Sequence, residues 1–437
     1  MSPLYIGAAV LVATLLAMAS GMPVAFALGL VSVGALVAFE GVGSLDFIAE
    51  TFLGGLEDFT LVSIPMFVLM GAAVASSRAG ADLYAALDRW LYRVPGGLVI
   101  SNLGACSIFA ALTGSSPATC AAIGKMGIPE MRKRGYPDEI ATGSIAAGGT
   151  LGILIPPSLT LILYGIATET SIGRLFLAGV VPGILLTLLF MAWTWFAVKR
   201  SGFQAYDPSF RFTLREKLVA LPKVLPFLAV IVAVMWALYG GVATPSEAAG
   251  IGALFCLVLA VVLYRMWRPR DLVAIFRDTT KESVMILMII GTSILFGYML
   301  TNLYLTQSLA EWIAGLQVNR WVLMGAINLL LLAAGCFLPP AAIILMTTPI
   351  LFPIVTAAGF DPVWFGVILT INMEVGLITP PVGLNLYVIN GIAPDVPLKK
   401  VLWGALPYVG CMVVGIVIIS LVPGLATWLP DWLMGPA

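Results

Sequence analysis

The chain has 437 residues, of which 60% are hydrophobic and only 10% are charged, and its mean hydropathy is +1.05. Soluble domains carry roughly 25% charged residues, so this composition predicts a membrane protein with several spanning helices. The basic and acidic residues balance, which gives no indication of a nucleic-acid partner, and the absence of histidine excludes a histidine-based metal site or catalytic triad.

Apolar runs in the N-terminal part predict spanning helices near residues 4–20, 22–39 and 61–77. No basic segment precedes the first run, so we expect no cleavable signal peptide. Residues 81–93 carry leucine and tryptophan on one helical face, which is typical of an amphipathic helix at the membrane interface. The next two segments, 98–112 and 118–128, are too short to span the bilayer and predict a re-entrant hairpin.

The remaining chain predicts a second set of similar elements. A span interrupted by prolines covers about 138–167, and a polar connector from Lys199 to Lys217 breaks at Gly202 and Pro208. Intact spans are expected near 175–197, 223–239, 247–264, 283–304 and 401–422. Between the last two we expect a short helix at 309–313, a hairpin at 321–354 and a second interrupted span at 361–392.

The two halves of the chain repeat each other. Gly152 and Gly376 are 224 residues apart, and each comes shortly before a double proline, Pro156-Pro157 or Pro380-Pro381. Glycine after each hairpin, at Gly135 and Gly359, keeps the same offset. The order of span, surface helix, hairpin and broken span therefore occurs twice.

Basic residues predict that these repeats have opposite orientations. If both hairpins are re-entrant and the N-terminus is periplasmic, 20 of the 22 Lys and Arg residues lie on the cytoplasmic side, and only Arg174 and Arg320 lie outside. The first hairpin then enters from the cytoplasm and the second from the periplasm, and both termini are periplasmic. The predicted fold is an all-α polytopic membrane protein with two inverted repeats, each with a re-entrant helical hairpin and a broken transmembrane helix.

The proline breaks predict a binding region at mid-membrane. Proline lacks an N–H, so each pair frees carbonyl groups in the preceding turn, and free carbonyls in lipid are tolerated only where they line a cavity or hold a ligand. Hydroxyl and carbonyl oxygens suit a hard cation such as Na+. The predicted Na+ ligands are Ser115, Ser116, Gly152, Ile153, Gly335, Gly376, Leu377 and Thr379.

A small anionic substrate is expected beside these cation sites, because helices that restart after the breaks direct positive N-terminal ends into the cavity. The predicted substrate contacts are Thr113, Ser116, Pro156, Asn372, Glu374, Pro381 and Asn385. Glu374 has three open interpretations: it binds a cation, carries a proton, or forms hydrogen bonds within the protein. An alternative interpretation of the proline pairs is that they merely kink packed helices. The five cysteines show no metal-ligand spacing and are expected to be free and buried.

With these residues assembled, the chain resembles the large membrane subunit of tripartite ATP-independent periplasmic (TRAP) transporters. The resemblance covers nearly the whole chain and is strongest in five segments. They are Ser63-Ile-Pro-Met-Phe67, Thr113-Gly-Ser-Ser-Pro-Ala-Thr119, Gly148-Gly-Thr-Leu-Gly-Ile-Leu-Ile-Pro-Pro-Ser158, Pro245-Ser-Glu-Ala-Ala-Gly250 and Asn372-Met-Glu-Val-Gly-Leu-Ile-Thr-Pro-Pro-Val-Gly-Leu-Asn385. The sequence departs from many relatives at Pro339-Pro340, where they carry an acidic residue in the second hairpin turn.

The resemblance implies a Na+-driven elevator in the bacterial inner membrane, in which a transport domain slides against a scaffold. It also implies two partners, a small membrane subunit of about four helices and a periplasmic binding protein that delivers an organic acid. The expected division is scaffold at 1–80, amphipathic arm at 81–94, transport domain at 95–170, scaffold at 171–305, second arm at 306–318, transport domain at 319–394 and a C-terminal scaffold helix at 395–437.

Two alternatives remain at this point. A stand-alone Na+-coupled elevator carrier for dicarboxylates or other anions would share the repeats but need no binding protein. A channel would share the helices, although paired breaks suit an occluded site better than an open pore. Enzyme activity and ATP-driven transport are not expected, because the sequence offers neither a convergent acid–base–nucleophile set nor a complete phosphate-binding loop.

Overall fold

The computed structural model describes residues 3–91, 94, 96–200, 213–315 and 318–435, and this part of the chain is helical without β-strands. Gly202, Pro208 and Arg93, which the sequence analysis placed in a connector and an arm, lie outside the described residues. The α-helices are α1 (Pro3–Ala19), α2 (Val24–Glu40), α3 (Ile48–Gly54), α4 (Ser63–Ser76), α5 (Ala79–Leu91), α6 (Gly97–Thr113), α7 (Ser116–Lys133), α8 (Asp138–Thr150), α9 (Leu159–Thr168), α10 (Ile172–Arg200), α11 (Leu214–Tyr239), α12 (Pro245–Val262), α13 (Pro269–Asn302), α14 (Leu305–Gly315), α15 (Arg320–Gly335), α16 (Pro340–Ala357), α17 (Pro362–Leu377), α18 (Leu384–Ile392), α19 (Leu398–Leu421) and α20 (Gly424–Met434).

The chain has the helices of a multi-pass membrane protein. Among the described residues, six helices are long and apolar enough to cross a bilayer, or seven if the two parts of α11, bent by 48°, count as one span. The six are α4 with its preceding turn, α10, α12, α13, α16 and α19. Apolar helices of 10–17 residues, such as α9 and α17, make up the shorter and interrupted segments.

Both predicted amphipathic helices are present, with bounds that differ from the prediction. The first, α5, begins two residues earlier than predicted, and the second, α14, extends well beyond 309–313 in both directions. The single C-terminal helix expected at 395–437 is wrong, because the chain forms α19 and then α20 there. Pro423 explains the break: a residue before proline is disfavoured in helical geometry, and Val422 has φ −128° and ψ 74°.

The two hairpins open toward opposite ends of α10, as the inverted repeats predict. We call α6–α7 hairpin 1 and α15–α16 hairpin 2. Hairpin 1 opens at the C-terminal end of α10, where a β-carbon on Gly96 would lie 3.3 Å from a methyl group of Val198. Hairpin 2 leads into α17, which packs at the other end of α10, because a β-carbon on Gly366 would lie 3.0 Å from Leu175.

Helix α19 packs against α8 with almost no space between the backbones. A β-carbon on Gly143 would lie 2.1 Å from the carbonyl carbon of Gly404, so neither position has room for a side chain. Helix α10 joins the same group, since the Thr194 and Tyr408 hydroxyls are 2.8 Å apart. Helix α19 therefore contacts both α8 and α10.

Ion pairs join the two repeats at the end where α8 begins. Arg132 contacts Asp138 at 3.0 Å and Asp395 at 2.5 Å, and Lys400 lies 3.8 Å from Asp138. The hydrogen bond from Arg132 lowers the pKa of Asp395. The connection from α7 to α8 and the connection from α18 to α19 therefore lie at the same end of the molecule.

Candidate functional site

Each hairpin tip packs directly on the helix break of its own repeat. A β-carbon on Gly152 would lie 3.0 Å from the carbonyl carbon of Ser115, at the tip of hairpin 1. A β-carbon on Gly376 would lie 2.4 Å from the carbonyl carbon of Gly335, at the tip of hairpin 2. Real β-carbons do not approach backbone as closely as 2.4 Å, so the Gly376 contact requires glycine, whereas a side chain at Gly152 would force the Ser115 backbone to shift slightly. The structure therefore brings together the predicted cation ligands of each repeat.

The broken helices predicted from the proline pairs are confirmed. The first break separates α8 from α9, with a 3₁₀ turn over Leu151–Ile153. The second separates α17 from α18, where Gly383 adopts a φ of 55°, a left-handed conformation that glycine tolerates best. Both Pro-Pro peptide bonds, 156–157 and 380–381, are cis.

Backbone carbonyls in the breaks are partly satisfied by nearby groups. The expectation of a bare carbonyl is wrong for Ile153, whose oxygen accepts a hydrogen bond from the hydroxyl of Ser158. The expectation is also wrong for Gly376, whose oxygen accepts a hydrogen bond of 3.3 Å from the Thr379 N–H. A carbonyl oxygen has two lone pairs, so the Ile153 oxygen keeps one for a cation.

Hydroxyl groups at the site have protein partners as well. Thr379 donates to the Val375 carbonyl at 2.6 Å, and the Thr113 and Thr119 hydroxyls lie 2.9 Å apart. A donating hydroxyl still offers its oxygen lone pairs, so Thr379 can ligate a cation in this geometry. Ser115 caps the start of α7 without a side-chain hydrogen bond to the helix backbone.

Three helix N-termini meet where the repeats touch. Asn385, in the first turn of α18, donates to the hydroxyl of Ser116 in α7 at 2.8 Å and to the Ala146 carbonyl at 3.0 Å. A β-carbon on Gly114 would lie 3.5 Å from the backbone nitrogen of Leu159, the first residue of α9. N-terminal helix ends carry partial positive charge, so this junction favours an anionic group.

The second broken helix holds four buried oxygens without a hydrogen-bond partner in the described part of the chain. They belong to the side chains of Asn372, Glu374 (both carboxyl oxygens) and Asn385. All three residues are 0% exposed. Buried polar groups are nearly always paired, so these oxygens mark a place where a ligand, an ion or water supplies the missing partner. Both asparagines and Glu374 were predicted substrate contacts.

The sequence analysis missed Asn328, which lies on α15 and accepts a hydrogen bond of 2.5 Å from Asn372. The available signal was its position: Asn328 is a polar residue in the middle of an apolar run, where such a side chain needs a partner on a neighbouring helix.

The two breaks differ in exposure, which the repeat pattern did not predict. Pro156 and Ser158 are buried, whereas Pro381 is exposed and Val382 is 37% exposed. The tip of hairpin 2 is exposed like the break on which it packs, because Phe337 is 64% exposed. The predicted substrate contacts Pro156 and Pro381 therefore lie in different surroundings in this conformation.

A separate cavity of about 440 Å³ lies near the connection from α9 to α10. Its lining includes Asp58, Glu169, Thr170 and Ser171, and none of the predicted site residues. The predicted site is therefore defined by hairpin contacts and unpaired oxygens rather than by this cavity.

The donor set of the breaks fits a hard monovalent cation. It consists of hydroxyl, carbonyl and amide oxygens, together with the Glu374 carboxyl group, and lacks the sulfur and imidazole ligands that transition metals prefer. No group of three or more His, Cys, Asp or Glu residues suited to a metal ion occurs among the described residues.

Comparison with known proteins identifies relatives along almost the whole chain. Residues 11–425 match the sequence model of "Tripartite ATP-independent periplasmic transporter, DctM component". The C4-dicarboxylate TRAP transporter large permease protein DctM of Pseudomonas aeruginosa is 39% identical over 377 residues, which cover 86% of this chain and 87% of that protein. The sialic acid TRAP transporter large permease protein SiaM of Vibrio cholerae is 32% identical, with 95% of this chain and 96% of that protein covered.

Among solved structures, the chain is similar to the YdaH transporter of Alcanivorax borkumensis, with a TM-score of 0.63 over 92% of this chain and 91% of that one. The two share 17% sequence identity, so this likeness concerns the fold alone. The family match covers nearly the whole length, and the relatives that agree with it are named as permeases. The chain therefore belongs to the DctM family, the large permease component of tripartite ATP-independent periplasmic transporters.

Proposed function

We propose that this chain performs Na+-coupled uptake of a small organic acid across the bacterial inner membrane by an elevator mechanism. The observation that carries the proposal is the set of unpaired buried oxygens on Asn372, Glu374 and Asn385, beside two hairpin tips that pack on helix breaks. Such acceptors in a lipid-embedded core need a partner, which a bound ion, a ligand or a water molecule supplies.

Na+ is proposed to bind at both hairpin–break contacts. At the first contact the candidate ligands are Ser115, Ser116, Gly152 and Ile153. At the second contact they are Gly335, Gly376, Leu377 and Thr379. The close packing of Gly152 and Gly376 on the hairpin tips supports this assignment, because it brings carbonyl and hydroxyl oxygens from two segments together.

The substrate is proposed to place its carboxylate at the helix N-termini around Ser116 and Asn385. A carboxylate there is stabilised by the partial positive charge of α7, α9 and α18. Relatives are named for C4-dicarboxylates, sialic acid, isethionate and ectoine, each of which carries an acidic group, and this supports an acid as substrate. The remaining predicted contacts are Thr113, Pro156, Asn372, Glu374 and Pro381.

The moving part is proposed to include α10 and α19 as well as the hairpins and broken helices. The sequence-based division assigned both helices to the scaffold, at 171–305 and 395–437. However, a helix in backbone contact with α8 at Gly143 and Gly404 cannot slide past it without separating that contact.

The tripartite family supports two partners for this chain, a small membrane subunit and a periplasmic binding protein. We propose a subunit of about four helices on the scaffold. The excess of basic residues on one side supports periplasmic termini.

Reconstitution in liposomes tests the proposal. The chain, its small membrane subunit and its binding protein are combined, and uptake of a labelled acid is measured with and without an inward Na+ gradient. The acid is first identified by a thermal-shift screen of the binding protein. Uptake that needs both the gradient and the binding protein is expected. Uptake without the binding protein would support the stand-alone carrier, and uptake independent of Na+ would refute the proposed coupling.

A further inference from the structure

Two asparagines link the first helix of hairpin 2 to the second broken helix. The Asn372 side-chain amide donates to the Asn328 side-chain oxygen at 2.5 Å and to the Ile368 carbonyl at 2.9 Å, which engages both of its N–H groups. Asn328 in turn donates to the Met324 carbonyl at 2.7 Å. The direction of this chain is fixed, because turning either amide over would set its oxygen against a carbonyl oxygen.

The Asn372 side-chain oxygen is left as a fully buried acceptor with no hydrogen-bond partner in the described residues. Asn372 lies close to the contact between the tip of hairpin 2 and the second helix break. Asn372 precedes Gly376 by one helical turn, and a β-carbon on Gly335 would lie 3.5 Å from the Asn372 main-chain oxygen. An acceptor that is held in place yet unpaired indicates a partner outside the chain.

This arrangement exists in only one of the two repeats. At the offset of 224 residues, Asn328 corresponds to Gly104 and Asn372 to Gly148, neither of which has a side chain. The helix packing that both repeats share therefore does not require the Asn328–Asn372 pair. Its presence in one repeat alone points to a role in what that half of the site binds.

We propose that Asn328 is a positioning residue that orients Asn372, so that the Asn372 amide oxygen binds an electropositive group during transport. That group is either a hydroxyl or ammonium donor on the transported acid or Na+ itself. The inference rests on the proposed function and deepens it, because it adds a hydrogen-bond acceptor to a site otherwise suited to a carboxylate. Asn328 touches Asn372 and acts through it.

Variants of Asn328 test this role in liposomes that contain the chain, its small subunit and its binding protein. Labelled malate and succinate serve as probes, because they differ by one hydroxyl. Asn328→Ala is expected to weaken uptake about five- to tenfold, the equivalent of one hydrogen bond. Asn328→Asp in its protonated form reproduces both hydrogen bonds and should restore most of the uptake. Asn302→Ala, at the end of α13, is the matched control and should behave as wild type.

The pattern of the loss identifies the electropositive group. A loss for malate that exceeds the loss for succinate assigns the acceptor to a substrate hydroxyl. A raised half-saturation concentration for Na+ with both acids assigns it to the cation. Wild-type KM values, Na+ dependence and malate-to-succinate ratio in Asn328→Ala would overturn the proposal. Absence of wild-type uptake of malate, of succinate and of the acid found by the thermal-shift screen would instead count against the proposed function.

Thermal unfolding of the purified protein gives a second, independent result. Replacing both partners by leucine in Asn328→Leu/Asn372→Leu removes a buried polar pair and an unpaired oxygen together. We expect an unfolding temperature equal to or above that of the wild type, with uptake reduced at least tenfold. A clear fall in the unfolding temperature would show that the pair is structural and would overturn the proposal, whichever acid is transported.

Discussion

At the scale of single residues, the account depends on glycines that let backbone approach backbone. Two such contacts bring a hairpin tip to a helix break. Gly152 packs on Ser115 in the first repeat, and Gly376 packs on Gly335 in the second. Gly376 must be glycine because a β-carbon there would occupy the volume of the Gly335 carbonyl group, and a β-carbon on Gly152 would force the Ser115 backbone to shift. The proposed cation ligands are backbone and hydroxyl oxygens around these contacts, so their geometry depends on the glycines.

Replacing Gly376 by Ala should displace the tip of hairpin 2 and abolish Na+-dependent uptake. The new β-carbon would lie 2.4 Å from the Gly335 backbone, which cannot move aside as a flexible side chain can. Overpacking of this kind costs about 1–3 kcal/mol, so the unfolding temperature should also fall. Gly325→Ala on α15 is the control, because nothing lies within 4 Å of its β-carbon. Equal uptake by the two variants would contradict this role.

Ser115→Ala and Thr379→Ala should each abolish Na+-coupled uptake while the protein still reaches the membrane. Each substitution removes one hydroxyl oxygen from a proposed cation site without adding volume. Thr356→Ala is a matched control, because Thr356 also bonds to the carbonyl four residues earlier, at 2.9 Å, but lies at the far end of hairpin 2. Unchanged Na+ dependence of uptake in both test variants would eliminate the two cation sites.

At the scale of elements, one buried ion pair connects the amphipathic helix α5 to the base of hairpin 1. Arg134 contacts both carboxyl oxygens of Asp88, at 3.1 and 2.8 Å, and Asp88 is 5% exposed. The corresponding positions of the second repeat are Trp312 and Ala358, which cannot form such a pair. The first arm is therefore fixed to its hairpin by a contact that the second arm lacks.

Arg134→Ala should destabilise the protein by about 3–5 kcal/mol, because it leaves the buried Asp88 carboxylate without its bidentate partner. Arg132→Ala removes two ion pairs near the surface, with Asp138 and Asp395, and should lower stability far less than Arg134→Ala does. Because Arg132 lowers the pKa of Asp395, the small effect of that pair is present above the usual aspartate pKa and disappears as the pH falls below it. Thermal unfolding in detergent measures the stability of both variants. Similar losses of stability in the two would contradict the assignment of Arg134–Asp88 as the stabilising ion pair.

The elements differ in how well the sequence predicts them. Hairpins and broken helices were predictable, because segment length and paired prolines are local signals that act through missing hydrogen bonds. Pro423 is also a local signal, since it separates α19 from α20, but this break was not predicted. By contrast, the Asn328–Asn372 pair and the tight contact of α8 with α19 depend on which helices become neighbours. Periodicity within one segment carries no information about that.

At the scale of the whole molecule, the two repeats share an architecture but have diverged in chemistry. The first break is buried and its Ile153 carbonyl accepts a hydrogen bond from Ser158. The second break is exposed and lies beside the unpaired oxygens of Asn372, Glu374 and Asn385. This difference was not predictable from the offset of 224 residues, because repeat matching emphasises what the halves have in common. It suggests that the repeats contribute different groups to one shared site.

The central claim is that the two hairpins enter the membrane from opposite sides, and cysteine labelling tests it most directly. Lys133 and Ala357 are both exposed and occupy equivalent positions at the ends of hairpins 1 and 2. Each is replaced by cysteine in a background whose five native cysteines are changed to alanine, and intact spheroplasts are treated with a membrane-impermeant thiol reagent. We expect labelling of Ala357→Cys from outside, and of Lys133→Cys only after the membrane is opened. Labelling of both cysteines from the same side would contradict the inverted architecture and the shared site built on it.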